Sequence, residues 1–133
     1  MRALADRLDH IVLTVNDIGE SVRFYERALG FERELFRGPN GEPRFALRFG
    51  AQKINLQDRG TETPTKARQP TFGSGDFCVL AAIPLDEVIA HLRVIGVAIE
   101  AGPVARRGAQ GELRSIYFRD PDGNLVEVAE YVR

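Results

Sequence analysis

The chain has 133 residues, 44% of them hydrophobic, and a formal net charge of −1. That is the size of one ordinary domain with a real core, and its charge balance gives no electrostatic footprint for nucleic acid or an anionic membrane. A single cysteine, Cys78, excludes an internal disulfide and fits a reducing compartment.

The N-terminal stretch "MRALADRLDHIVL" lacks the continuous apolar core and small-residue cleavage site of a secretion signal. No run is long and apolar enough to span a bilayer. These features predict a soluble, cytoplasmic protein. "LDHIVLTVN" is β-branched and apolar on both faces, which predicts a strand. Asp17 and Glu20 stand at capping-box spacing and open a helix. Ile18, Val22, Tyr25 and Leu29 line its apolar stripe, and Gly30 supplies the left-handed residue that ends it. "FERELFRG", "RFALRFG" and "KINLQD" follow as strands, the first two separated by the turn residues "PNGEP".

Residues 59–74 are polar and rich in Thr, Pro and Gly, and read as a surface linker. Beyond it, "GDFCVLAA" is a strand. "IPLDEVIAHLRVIG" is a helix with Pro84 near its first turn and Gly96 at its end. "VAIEAGPV", "ELRSIYFRD" and "NLVEVAEYV" complete a second strand, helix, strand, strand, strand order. The glycine-rich, basic segment "ARRGAQGE" reads as a mobile loop, or as a lid whose Arg106 or Arg107 meets an anionic substrate. His91 falls on the polar face of its helix as a solvated residue. Cys78 is taken as a small core residue on the face opposite Asp76.

The two halves form an internal repeat. With Gly30 set on Gly96, Arg27 meets Arg93, Val22 meets Val88 and His10 meets Asp76. With a short gap, "KINLQ" falls on "GNLVE" and Gln57 meets Glu127. Four metal-capable side chains thus occupy equivalent positions, on strand faces turned away from the helices.

These segments resemble a known family. "LDHIVLTVNDIGESVRFYERALGFE", "KINLQ" and "SIYFRDPDGNLVEV" are similar to the vicinal oxygen chelate superfamily of glyoxalases, bleomycin-resistance proteins and extradiol dioxygenases. Within it, the match is to small proteins of the glyoxalase domain-containing protein 5 type. The resemblance implies an α+β fold of two βαβββ modules, 7–58 and 75–132 joined by linker 59–74, curved into a cup within one domain spanning 1–133. It implies one divalent ion, Mn²⁺, Ni²⁺, Zn²⁺ or Fe²⁺, held by His10, Gln57, Asp76 and Glu127. It further implies Glu127 as catalytic base and Tyr117, ten residues earlier, as the group that orients substrate.

Gln57 and Asp76 depart from the family's usual Glu or His. One histidine at the metal positions puts ring-cleaving dioxygenase chemistry below the other activities. Two readings stay open: a metal-dependent lyase or isomerase acting on a small oxygenated metabolite, and a metal-free protein that sequesters a small molecule or drug. Apolar edges of small curved sheets predict a homodimer, with the cup either within one chain or shared by two.

Overall fold

A computed structural model describes residues 2–133. The first half runs β1 (His10–Thr14), α1 (Ile18–Leu29), β2 (Glu32–Arg37), β3 (Pro43–Phe49) and β4 (Gln52–Gln57). The second runs β5 (Asp76–Leu80), α2 (Leu85–Val94), β6 (Ala101–Gly108), β7 (Gly111–Arg119) and β8 (Leu125–Tyr131). Each half forms a four-stranded mixed sheet, ordered β1-β4-β3-β2 and β5-β8-β7-β6. In both, the outer strand before the helix pairs in parallel with the last strand, and the remaining ladders are antiparallel. This is an α+β fold, with no helix among the described residues long and apolar enough to cross a membrane.

Local chemistry accounts for the helix ends. Asp17 has an extended backbone and its carboxylate accepts the Glu20 N–H at 2.9 Å, satisfying one of the orphan donors of the first turn of α1. Gly30 closes that helix at φ 67°, a left-handed conformation that a side chain would disfavour.

One core serves both halves. Leu13, Ile54 and Leu56 of the first sheet, Ile116, Phe118 and Val126 of the second, and the apolar stripes of both helices belong to a single buried cluster. Phe24 of α1 reaches Phe118 of β7 with ring centroids 6.1 Å apart, while Phe31 stacks on Phe49 of β3. Alternation then sends the other side chains of every strand to an open face.

Polar bonds lock the halves together as well. The buried Tyr25 hydroxyl donates to Asp120 Oδ2 at 2.7 Å. Asp120 also accepts the backbone N–H groups of Asp122 and Asn124 and the Asn124 side-chain amide, which fixes the turn before β8. Asn124 Oδ1 in turn accepts the Gly75 N–H at 2.7 Å, at the threshold of β5. A Cβ on Gly75 would lie 2.8 Å from both Asn124 Oδ1 and Leu13 Cδ2, so this close approach admits only glycine without rearrangement.

Three expectations are corrected. The first strand after α2 starts at Ala101, four residues later than read from "VAIEAGPV", and runs through Gly108. "ARRGAQGE" is therefore not a loop or lid. Ala105–Gly108 pair with β7, and the turn is confined to Ala109 and Gln110. As an edge strand, β6 keeps its outer side in water and tolerates polar residues, which hid it from hydrophobic patterning. His91 is not merely solvated: its Nε2–H donates to the Arg27 carbonyl at 2.7 Å, joining α2 to α1.

Candidate functional site

The open face of the second sheet is built on β5, β7 and β8. Glu127 stands between Cys78 on one side and Tyr117 on the other, each its direct cross-strand partner. Glu127 and Tyr117 are half-buried, and together with Asp76 and Arg106 they border one hollow. Arg106 Nε donates to the Tyr117 hydroxyl at 3.0 Å, and its guanidinium lies over the Tyr117 ring. Partial desolvation, then the neighbouring Glu127 carboxylate, raises the Tyr117 pKa above its ordinary value, against the opposing pull of Arg106. Tyr117 therefore stays a protonated donor at neutral pH.

Cys78 belongs to this face too, which corrects its reading as a core residue opposite Asp76. Residues two apart on a strand share a face, and Cys78 is an exposed free thiol. Loss of water around the sulfur and the charge of Glu127 push its pKa up to about 12. It is a neutral neighbour of Glu127, not a reactive thiolate.

On the first sheet, the paired strands arrange the open face in rows. His10 lies beside Lys53, Val12 beside Asn55, and Thr14 beside Gln57. His10 is exposed and its Nδ1 bonds Asp9 Oδ1 at 2.8 Å, a bond that does not engage Nε2. Gln57 is buried and its amide donates to Thr14 Oγ1 at 2.9 Å.

The ladders also revise how the two modules correspond. Asp76 opens β5, and Glu127 is paired two residues further along, at Cys78. His10 opens β1, and the residue paired two further along, at Val12, is Asn55. The counterpart of Glu127 is thus Asn55, one open-face step before Gln57. Its flanks agree, for Ile54 and Leu56 are buried as Val126 and Val128 are. Asn55 Oδ1 is itself buried without a hydrogen-bond partner among the described residues. Sequence reasoning missed Asn55, although "INL" against "VEV" carries the same apolar, polar, apolar pattern.

The four expected metal positions do not all meet within one chain. Gln57 and Asp76 border a cavity of about 440 Å³ over the first sheet, roofed by linker residues such as Thr65 and Lys66. Asp76 and Glu127 border the hollow on the second sheet, and Asp76 is the one residue common to the two linings. His10 borders neither. Among the described residues, no group of three or more His, Cys, Asp or Glu side chains is close enough to hold an ion. The donor types nevertheless suit a hard or borderline divalent cation: one imidazole, two carboxylates, and an amide oxygen left buried without a partner.

Known proteins share this architecture. Over 132 residues the chain is 48% identical to virulence protein STM3117 of Salmonella typhimurium, covering 99% of this chain and 89% of that protein. The crystal structure of that protein superposes with a TM-score of 0.92 over 98% of this chain and all of the other. Glyoxalase domain-containing protein RDO1 of Mycosarcoma maydis is 43% identical over 124 residues, 93% of this chain and 68% of its own length. The structure of lactoylglutathione lyase from Agrobacterium tumefaciens matches at a TM-score of 0.71 and 26% identity, covering 96% of each chain. None of these three carries the glyoxalase domain-containing protein 5 name expected from the sequence motifs. The profile that matches residues 7–128 joins with this similarity and with the paired βαβββ sheets to one conclusion: the chain belongs to the Glyoxalase/Bleomycin resistance protein/Dioxygenase superfamily.

Proposed function

We propose that the protein is a metal-dependent lyase or isomerase of the glyoxalase type, acting on a small metabolite through adjacent oxygen atoms. The observation that carries this reading is the ladder register. It sets His10 and Asn55 on one open face at the levels that Asp76 and Glu127 hold on the other. These four residues are the proposed ligands, with Asn55 in the place first given to Gln57. A divalent ion bound there supplies Lewis-acid stabilisation of the oxyanion that develops on the substrate. Glu127 takes the proton from the carbon beside that oxygen, and Tyr117, its cross-strand neighbour, donates a hydrogen bond that orients the substrate.

The proposed assembly is a homodimer with shared cups. Helix-covered faces of both sheets merge in one core, and the two open faces border two hollows whose linings share Asp76 alone. This supports His10 and Asn55 of one chain meeting Asp76 and Glu127 of its partner across an isologous interface.

A second reading, a metal-free small-molecule binder, draws on the neutral Asn55 and on the absence of an ion-binding cluster among the described residues of one chain. Metal content decides between them. Protein purified without chelator should carry one divalent ion per chain, and His10→Ala and Glu127→Ala should each lose it. Co-refolded in equal amounts, the two variants should recover about a quarter of the wild-type content, since half the dimers are mixed and each mixed dimer rebuilds one of two sites. No metal in the wild type, and no thermal shift with Mn²⁺, Ni²⁺, Zn²⁺ or Fe²⁺, leaves the binder; metal that the mixture does not recover places the cup within one chain.

A further inference from the structure

Arginine 44 is out of keeping with the rest of the charged surface. Its side chain is buried, with 7% of the residue exposed, and its Nε has no hydrogen-bond partner among the described residues. Neighbouring cations are provided for: Arg48 and Lys53 both reach Glu34, Arg33 forks onto Glu26, and Arg119 forks onto Glu100. Arg44 forms no ion pair of this kind among the described residues. Charged side chains are seldom buried unless paired, and an unpaired buried guanidinium works against stability.

Its position gives the reason. Phe45 pairs with Leu56, so the antiparallel ladder sets Arg44 opposite Gln57. Phe36 is its partner on the other side. Arg44 therefore sits in the open-face row Thr14, Gln57, Arg44, Phe36, in the lining of the roughly 440 Å³ cavity that Asp76 also borders. Asn55, with its own orphaned oxygen, and Lys66 of linker 59–74 line the same cavity.

We propose that Arg44 binds the anionic group of a small acidic ligand, and that this cavity selects molecules carrying a carboxylate or another oxyanion. A guanidinium carries parallel N–H donors that match the two oxygens of such a group, and Arg44 lines the cavity. Thr14, Gln57 and Asn55 supply neutral hydrogen-bonding groups around the remainder of the ligand, and Phe36 supplies an apolar wall. The proposal rests on the proposed function, in which the open face carrying His10 and Asn55 meets the substrate. Of the proposed metal ligands it draws on Asn55 alone, and Arg44 carries the recognition.

The test is a calorimetric titration of chelator-treated protein with lactate, malate and phosphoglycolate, each acid beside an uncharged amide or ester of the same skeleton. At least one acid should bind at least about tenfold more tightly than its uncharged counterpart. Arg44→Gln should abolish that preference and Arg44→Lys should retain part of it. His10→Ala should leave it intact, so that loss of metal and loss of anion recognition are read separately. Without ligand, Arg44→Leu should unfold at or above the wild-type temperature, because it removes an uncompensated buried charge. No acid binding up to about 10 mM, an acid preference that survives Arg44→Gln, or an Arg44→Leu protein that melts well below wild type would each overturn the proposal.

Discussion

Replacing Tyr25 by Phe tests the polar lock between the two halves. The ring keeps its place, fully buried and stacked on Phe31 with centroids 5.8 Å apart, so the change isolates one hydroxyl. That hydroxyl donates to a carboxylate only 5% exposed, at 2.7 Å. Hydrogen bonds to charged groups contribute about 1.5–3 kcal/mol. Asp120 keeps three N–H donors from Asp122 and Asn124, so it is not orphaned and the lower part of the range applies, about 1.5–2 kcal/mol. With an unfolding entropy of about 2.1 cal/mol/K per residue over 133 residues, the melting temperature should fall by roughly 5–7 °C. Urea unfolding at constant m gives the free energy directly. A double-mutant cycle with Asp120→Asn should show coupling of at least about 1 kcal/mol. A melting point within about 1 °C of wild type, or additive effects in the cycle, would refute the role given to this bond.

Other outcomes follow from the site. Asn55→Asp should tighten divalent-metal binding by at least about tenfold, since it places a charged oxygen at the level of Glu127, whereas Gln57→Glu should change it little; the reverse order in metal titrations would reinstate Gln57 as the proposed ligand. Alkylation of Cys78 by iodoacetamide at pH 8 should run about a hundredfold slower than that of a free thiol, because a pKa near 12 leaves about one part in ten thousand as thiolate and higher nucleophilicity offsets part of that. Glu127→Gln removes the charge that helps hold the thiol protonated, so it should speed that alkylation while its thermal unfolding stays close to wild type; a slower reaction would contradict the proximity of the two groups.

Much of the fold could be read from the chain alone because its signals are local. The Asp17 cap, the left-handed Gly30 and the apolar stripe through Val22 and Tyr25 each mark α1 without reference to anything distant. The repeat was visible for the same reason. The level of the fourth strand was not. Sliding "KINLQ" by two residues keeps every side chain on its face, so alternation cannot separate Gln57 from Asn55. Only the ladder with β1 decides, and that pairing joins residues over forty positions apart. Arg44 was invisible for a different reason: in "EPRFALRFG" it looks like Arg48, and what distinguishes them is the carboxylate that Arg48 meets and Arg44 lacks. The strand in "ARRGAQGE" escaped because an edge needs no apolar alternation once one side faces water.

The merged core bears on what the linker does for the chain. Helix α1 sends Phe24 and Tyr25 into the second half, and α2 sends His91 back to Arg27 of the first. A half severed from its companion would expose Phe24, leave the Tyr25 hydroxyl without its acceptor and open the floor beneath its own sheet. Cutting the backbone between 59 and 74 should therefore yield two fragments that stay clasped through washing and gel filtration. The same two fragments expressed from separate genes should each be insoluble alone and regain a fold only when they meet, so that continuity of the peptide sets their stoichiometry while side chains of the interior set their partnership.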